Sequence, residues 1–325
     1  MFIAADIGGT KARFGLYDQH SGNATPVRTA TLATKAAADP GDLVAEFAGS
    51  DPFEALSLAV AGAVVDGHAR GSNLPWDIHE QALCDRFACP VRLLNDLEAI
   101  ANFVPYAGAD ELESLQAGTP VTGGPIGVIA PGTGIGEAML FAGGGSYQAM
   151  PAEAGHIDFA PNDARQDAWL ARLRENHGHV SLERACSGNS LPPMYAFMQA
   201  HSKLVANADI AAQIVAAEDA APIIAQAALD DTCPVCVSTL QMFVDILAAA
   251  AGNLALQIVA TGGIVLAGGI PPRILPVLRQ RRFLRAFSHK GRFTHLTERI
   301  PVAVLLNESA GLTGAALVQL FSRSD

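Results

Sequence analysis

Short apolar runs that end in glycine-rich turns recur along the chain. Residues 2–5 and 12–17 flank the turn Asp6-Ile-Gly-Gly-Thr10, and apolar and polar positions alternate in the second run. A period of two predicts β-strands. The same order of apolar strand, Gly-Thr turn and strand returns at 126–142, around Pro131-Gly-Thr-Gly-Ile-Gly136. The pattern therefore predicts two halves of similar build, each with its own glycine turn.

The rest of the chain alternates predicted strands and helices, which indicates an α/β protein. We expect further strands at 56–65, 91–94, 263–267 and 301–306, and helices at 97–104, within 204–230, at 240–258 and at 309–322. The turn Asp66-Gly67 should end the strand at 56–65. A third glycine turn, Gly268-Gly269, precedes a helix predicted to begin at Pro271-Pro272. Pro105, Tyr106 and Gly108 interrupt the pattern, which favours a domain boundary near 105–110.

Length, charge and cysteine content narrow the class of protein. The chain has 325 residues and a net charge of −11. Two domains are expected from this length, and the negative charge argues against a nucleic-acid partner. The five cysteines are odd in number and favour a reduced, cytoplasmic compartment. Cys233 and Cys236 form a lone CxxC without the second pair of ligands that a structural zinc site needs.

No membrane segment is expected, although one stretch is long enough to span a bilayer. No charged residue lies between Asp245 and Arg273. Asn253, Gln257 and two glycine pairs interrupt this stretch, so a buried helix followed by a buried strand fits better. The N-terminus lacks the basic region of a signal peptide.

The three glycine turns are candidate phosphate sites. Glycine lets the backbone approach a phosphate, and successive N–H groups form an anion cradle. The alternative for Gly8-Gly9 is a plain β-hairpin. The run at 131–136 is neither a Walker A motif nor a dinucleotide-binding motif, since Glu137 stands where a third glycine belongs. An acid just before such a turn, here Asp6, can hold Mg²⁺ through water.

Acidic and imidazole side chains near other turns are candidates for sugar chemistry. Asn95-Asp96 leaves a predicted strand, where Asp96 is either a helix N-cap or a general base for a hydroxyl. Glu153 and His156 lie in a predicted loop. Glu183 is either an ordinary helix-surface charge or a ligand of a polyol. Together with the glycine turns, these residues indicate a kinase that acts on a hydroxyl-rich small molecule.

An ordered set of motifs resembles the bacterial glucokinases of the proteobacterial type, in the sugar kinase/actin/Hsp70 ATPase superfamily. The motifs are DIGGT (6–10), VRLLNDLEAIA (91–101), APGTGIGEA (130–138), PAEAGHIDFAP (151–161), HVSLERACSG (179–188), AGNLALQ (251–257), GGIVLAGGIPPR (262–273) and GRF (291–293). The related ROK family usually has a cysteine-rich zinc motif after the sugar-site histidine. No cysteine follows His156 in the run IDFAPNDARQDAW, so that family is disfavoured.

The resemblance implies an α/β fold of two actin-like (ribonuclease H-like) domains around a central cleft. The small domain would comprise 1–107 and the C-terminal segment 307–325, and the large domain 108–306. The resemblance also implies ATP with Mg²⁺ as cofactors, glucose as substrate and a homodimer.

The resemblance assigns roles to individual residues. Asp96 resembles the catalytic base, and the sugar ligands would be Asn95, Asp96, Glu153, His156 and Glu183. The ATP site would comprise Asp6, Gly8, Gly9 and Thr10, then Gly132, Thr133 and Gly134, and finally Gly268 and Gly269. Asp6 would also help to hold Mg²⁺.

Two departures and three alternatives accompany this interpretation. Lys11 stands where the type often has Asn, and Asn189-Ser190 replaces the more usual Pro-Gly, so details of the site differ from the family pattern. The alternatives are a kinase for another hexose or an amino sugar, polyphosphate as phosphoryl donor, and a sugar sensor without catalysis. The sensor would need a DNA-binding module, and we expect none before Asp6.

Overall fold

The computed structural model describes residues 1–20, 24–70 and 76–321. Its strands are β1 Phe2–Ile7, β2 Lys11–Tyr17, β3 Pro26–Ala33, β4 Leu56–Val60, β5 Ala63–Val65, β6 His68–Arg70, β7 Asp77–His79, β8 Val91–Asn95, β9 Leu112–Gln116, β10 Ile126–Pro131, β11 Ile135–Gly143, β12 Ser146–Ala152, β13 Gly263–Leu266 and β14 Val302–Leu305. Its α-helices are α1 Pro40–Ala48, α2 Glu80–Phe87, α3 Asp96–Phe103, α4 Ala164–His177, α5 Leu182–Ala185, α6 Leu191–His201, α7 Ala208–Ala216, α8 Ala221–Leu229, α9 Pro234–Gln257, α10 Leu275–Leu278, α11 Arg281–Ser288, α12 Thr294–Thr297 and α13 Ala310–Phe321.

Contacts divide the chain into two units. The first comprises Met1–Ala107, Gly143–Pro151 and Asn307–Asp325, and the second comprises Gly108–Ala142 and Ala152–Leu306.

The two larger sheets share one pairing pattern. A five-stranded sheet has the order β3-β2-β1-β4-β8, and a six-stranded sheet has the order β12-β11-β10-β13-β14-β9. In the first, β1 pairs antiparallel with β2 and parallel with β4. In the second, β10 pairs antiparallel with β11 and parallel with β13. The glycine turns lie between the antiparallel strands in both cases, so the prediction of two halves of similar build is confirmed.

The first unit is held together by its five-stranded sheet and by the C-terminal helix α13. Ile3, Phe14, Leu58 and Val60 are fully buried on the sheet. A Cβ on Gly314 of α13 would lie 1.8 Å from the carbonyl oxygen of Ala99 in α3. Only glycine allows the backbones of these two helices to approach so closely.

The second unit is built around the long helix α9. Sixteen of its 24 residues are buried, among them Phe243, Leu247 and Ala251. The helix is long and apolar enough to cross a membrane, with a mean hydropathy of 1.7, but 78% of its apolar window is buried inside the protein. A helix with an apolar surface on every side is expected in the core of a large protein.

Most predicted elements are present, but two predictions were wrong in detail. The run 56–65 is two strands, because the chain leaves the sheet at Gly62, which has φ of +140°. Asp66 and Gly67 do form the expected turn, both with positive φ. The helices expected within 204–230 are confirmed as α7 and α8, with residues 217–220 between them.

The second error concerns the helix expected at Pro271-Pro272. The helix begins instead at Leu275, and the two prolines lie in the turn before it. A residue that precedes proline is pushed out of the helical region, which applies here to both Ile270 and Pro271. The prediction for 309–322 is confirmed over α13, and residue 322 lies outside the described residues.

Candidate active site

In the first unit, the glycine turn after β1 and the pair Asn95-Asp96 lie at the same edge of the five-stranded sheet. Ile7 at the end of β1 pairs with Val60 of β4, which in turn pairs with Asn95 at the end of β8. These three residues form one row across three parallel strands. Strands lie about 4.8 Å apart, so Ile7 and Asn95 are roughly 10 Å apart. Gly8 and Asp96 follow directly, at the carboxyl ends of their strands, where open α/β sheets bind ligands.

The turn after β1 is held by backbone and threonine hydrogen bonds. The N–H of Gly8 donates to the carbonyl of Lys11 at 3.0 Å. The hydroxyl of Thr34 donates to the carbonyl of Gly8 at 2.8 Å, and the N–H of Thr34 donates to Thr10 at 3.1 Å. Gly9 lies within this turn. These hydrogen bonds fix the backbone of residues 8–10.

Asp6 lies at the base of this turn. Burial raises the pKa of its carboxyl group, and the opposing charge of Arg13 lowers that pKa in part. Arg13 is the direct partner of Asp6 across β1 and β2. A Cβ on Gly311 of α13 would lie 2.9 Å from Oδ2 of Asp6, so α13 encloses this carboxylate closely.

Asn95, rather than Asp96, caps helix α3. The side-chain oxygen of Asn95 accepts hydrogen bonds from Leu97 and Glu98, and Glu98 completes a capping box. The Asn95 amide donates to the carbonyl of Gly62 at 2.9 Å. Asp96 is the first residue of the helix, and its Oδ1 accepts from the N–H of Leu97 at 2.9 Å. The helix therefore already has its cap, and capping does not account for the acid at 96.

The second unit gathers its glycine motifs around the turn at 131–134. The N–H of Gly188 donates to the carbonyl of Gly132 at 2.7 Å, and the N–H of Asn189 donates to Thr133 at 3.2 Å. On the other side, a Cβ on Gly268, which has φ of +82°, would lie 2.9 Å from the carbonyl of Pro131. The second and third glycine turns therefore form one continuous backbone surface.

A cavity of about 660 Å³ opens beside this surface. Its lining includes Gly132, Thr133, Asn189, Gly269, Ile270 and Arg273. Apolar side chains from α8 complete it, among them Ala225 and Leu229. An apolar pocket next to a run of glycines is suited to a purine base with phosphates attached.

Ile135 connects Glu183 to the Glu153–His156 loop. The N–H of Ile135 donates to Oε2 of Glu183 at 3.2 Å. A Cβ on Gly155 would lie only 1.9 Å from the carbonyl oxygen of Ile135, so position 155 must be glycine. Gly155 belongs to the short turn Ala154–His156 that follows Glu153. These backbone contacts bring three predicted sugar ligands to one end of β11.

The sugar-ligand candidates of the second unit are accessible. The side chains of Glu153 and His156 are more than half exposed, with Oε2 of Glu153 at 3.8 Å from Nε2 of His156. His156 and Glu183 line a second cavity of about 660 Å³, together with Ser187 and Asn189. Asn189 lines both cavities. The sequence pointed to Glu183 and His156, but gave no reason to expect that Asn189 lies between the two cavities.

The structure thus places the candidates in two groups. Asp6, Gly8, Gly9, Thr10, Asn95 and Asp96 share one sheet edge of the first unit. Gly132–Gly134, Glu153, His156, Glu183 and Gly268–Gly269 surround the turn of the second unit. Gly155, Gly188 and Thr34 were missed as positioning residues. The two glycines stand inside recognised motifs, whereas nothing in the sequence singles out Thr34.

Comparison with known proteins decides the family. The sequence model of the Glucokinase family matches residues 3–320. The chain belongs to the glucokinase family. The glucokinase of Trichormus variabilis is 34% identical over 338 residues, with 98% of each chain covered.

Solved structures agree with this membership. This glucokinase-family chain matches a glucokinase from an Antarctic psychrotroph with a TM-score of 0.80, 31% identity and 97% of each chain covered. A ROK-family glucokinase from Streptomyces griseus, in complex with glucose and AMPPNP, has a TM-score of 0.65 at 23% identity. The latter likeness shows the shared fold, which is that of the actin-like ATPase sugar kinases.

Proposed function

We propose that the protein transfers the γ-phosphate of ATP to the 6-hydroxyl of D-glucose, which yields glucose 6-phosphate. The observation that carries the proposal is the position of Asp96. Asp96 directly follows Asn95, which ends β8 in the same row as the last residues of β4 and of β1, the strand that the first glycine turn follows. Helix α3 is capped by Asn95, so its cap does not require the carboxylate of Asp96. The two structural units would act as the two domains of the kinase.

Asp96 is assigned as the general base. An ionised carboxylate accepts the proton of the sugar hydroxyl as its oxygen attacks phosphorus in line. The backbone hydrogen bond from Leu97 fixes one carboxylate oxygen. Such fixed geometry is what proton transfer to a positioned group requires.

Four further residues are assigned to the sugar hydroxyls: Asn95, Glu153, His156 and Glu183. Glu153 and Glu183 offer acceptors, His156 offers a donor or an acceptor, and Asn95 offers the second N–H of its side-chain amide. A site that pairs each hydroxyl rejects an epimer strongly, because the epimer leaves a polar group without a partner.

The nucleotide is assigned to the glycine turns. The residues assigned to the phosphates are Asp6, Gly8, Gly9, Thr10, Gly132, Thr133 and Gly134. Gly268 and Gly269 are assigned to adenosine, and Gly269 borders the apolar cavity. The carboxylate of Asp6 suits Mg²⁺, which prefers oxygen ligands and keeps several waters. When bound, Mg²⁺ neutralises charge that develops on the phosphates.

The protein is further proposed to act in the cytoplasm as a homodimer, at the entry of glucose into glycolysis. Light scattering of the purified protein at several concentrations tests the dimer.

A coupled assay with ATP and Mg²⁺ tests the function across glucose, mannose, fructose, galactose, N-acetylglucosamine and N-acetylmannosamine. A strong preference for glucose is expected, and a chelator should abolish turnover. Preference for another sugar would keep the mechanism and change the substrate. Binding of sugar without turnover for any donor, polyphosphate included, would replace the kinase by a sugar sensor.

A further inference from the structure

A small third sheet carries a histidine pair and an aspartate on one face. Strands β5, β6 and β7 form this sheet in the first unit. His68 of β6 pairs directly with His79 of β7, and Arg70 pairs with Asp77. Residues two apart on a strand point to the same side, so Asp77 shares the face of His79. Ala69 and Ile78, between them, are buried on the opposite face.

The three polar side chains converge. The rings of His68 and His79 are stacked, with centroids 4.3 Å apart and planes within 5°. Nε2 of His68 is in hydrogen-bond contact with Oδ1 of Asp77, and Nε2 of His79 lies 3.9 Å from the same oxygen. One ligand atom of each residue lies within 4.8 Å of the others. Within the described ranges, this is the one group of three or more histidine, cysteine, aspartate or glutamate residues close enough to hold a metal ion.

The donor set matches a transition metal better than magnesium or calcium. Two imidazole nitrogens and one carboxylate oxygen suit zinc and its neighbours, whereas Mg²⁺ and Ca²⁺ require oxygen ligands. Bonds of about 2.0–2.1 Å in a tetrahedral site place ligand atoms roughly 3.3 Å apart. The side chains are 41–57% exposed, so the imidazoles have room to rotate out of their stacked arrangement and converge on one ion.

We propose that His68, Asp77 and His79 form a surface site for a divalent transition-metal ion of the zinc class. Three protein ligands leave a fourth position open to water or another ligand. Arg70 is the partner of Asp77 across the strands, and its positive charge opposes a cation at that carboxylate. The expected affinity is therefore that of an open three-ligand site, weaker than that of a closed structural centre.

Metal binding would tie β6 to β7 by a second link besides their backbone hydrogen bonds. The same sheet begins beside Gly62, whose carbonyl oxygen accepts a hydrogen bond from the side-chain amide of Asn95. The site is separate from the residues assigned to phosphoryl transfer, so the proposal does not depend on the proposed function.

Calorimetric titration of the chelator-treated protein with Zn²⁺ tests the site. We expect one ion per chain, and at least tenfold weaker binding in both His68→Ala and His79→Ala. The matched control is His179→Ala, because His179 contacts a single carboxylate, that of Asp158, at 2.8 Å. Its Zn²⁺ affinity should be unchanged. Circular dichroism of the metal-free variants confirms that they are folded.

Two further readouts separate this site from adventitious binding. Zn²⁺ should raise the unfolding temperature of the wild type but not that of the double variant His68→Ala/His79→Ala, since a ligand of the native state stabilises it by mass action. Co²⁺ bound at the site should show no thiolate charge-transfer band, because the five cysteines are not among the ligands. Absence of saturable binding, equal binding by the double variant, or a thiolate band would each overturn the proposal.

Discussion

The carboxylate of Glu183 accepts a hydrogen bond from the backbone N–H of Ile135, 3.2 Å away. Gly134, the residue before Ile135, has no side chain that could obstruct this hydrogen bond. A Cβ there would lie 2.1 Å from Oε2 of Glu183. The second glycine turn therefore has two effects. Its backbone at Gly132 and Thr133 lines the proposed nucleotide cavity, and Gly134 leaves room for Glu183, a proposed sugar ligand.

Gly134→Ala should displace Glu183 and weaken glucose binding. The atom that a Cβ at 134 would clash with is Oε2, at the end of the flexible Glu183 side chain. The fold should therefore persist while the Glu183 carboxylate leaves its position. We expect KM for glucose to rise at least tenfold with little change in unfolding temperature, measured by steady-state kinetics and thermal denaturation. Gly143→Ala is the control, since a Cβ at 143 meets nothing within 4 Å. Equal kinetics for the two variants would show that Glu183 does not bind the sugar.

Asp96→Asn should slow turnover strongly while glucose still binds. The amide cannot accept the hydroxyl proton, and a general base contributes about 10²- to 10⁴-fold to a rate. We expect kcat to fall by that order and the glucose dissociation constant, measured by calorimetry, to change less than tenfold. Asp85→Asn provides the control, because Asp85 is exposed on α2 and hydrogen-bonds only to Gln81 among the bonds described. A variant at 96 with near-normal kcat would exclude the assignment.

Asn95→Ala should lower stability and abolish glucose phosphorylation, and a second asparagine separates these effects. Asn207 caps α7 as Asn95 caps α3: its oxygen accepts from the N–H groups two and three residues on, and its amide donates to a carbonyl, that of Thr232. Each alanine variant should lose about 1–2 kcal/mol in free energy of unfolding. Denaturant titration measures that loss.

Only the variant at 95 should lose activity at temperatures where both proteins remain folded. If Asn207→Ala reduces turnover equally, the effect of Asn95 is one of stability and its role at the sugar is refuted.

Glu137 should make the second unit less stable as pH rises. Its side chain is 2% exposed, and burial raises its pKa from 4.5 to about 7. The folded state thus binds the proton more tightly than the unfolded state. The stabilisation is complete below about pH 4.5 and is lost as pH rises through about 7, with a total of about 3 kcal/mol.

Urea denaturation at a series of pH values measures this slope. Glu137→Gln should flatten it between pH 4.5 and 7, whereas Glu298→Gln, at an exposed site of the same unit, should leave it unchanged. A wild-type profile without that decline would contradict the expected titration of Glu137.

How far the sequence predicts the fold depends on the kind of interaction involved. The strands around both glycine turns follow from local alternation, and so does helix α3. The break at Gly62 does not, because it is stabilised by the side chain of Asn95, 33 residues later in the chain. Strands β6 and β7 are three residues each, too short for a periodic signal, so the cluster of His68, Asp77 and His79 was not foreseen.

The candidate site shows the same division. Asp96, Glu183 and the glycines are visible as residue types within motifs. The separate roles of Asn95 as cap and of Asp96 as the acid beyond it are set by backbone geometry at one helix start. The convergence of Gly155 and Glu183 on Ile135 depends on contacts across 20 to 48 residues of sequence, which no local pattern encodes.

The place of α13 has a consequence for synthesis of the chain on the ribosome. Gly311 and Gly314 of α13 pack against Asp6 and Ala99, so the core of the first unit is incomplete until α13 has been synthesised. Translation proceeds at roughly 5–20 residues per second. The first hundred residues must therefore wait for tens of seconds in an incomplete state, while the intervening unit can finish folding. Emergence of the final helix then completes the part of the protein that was made first.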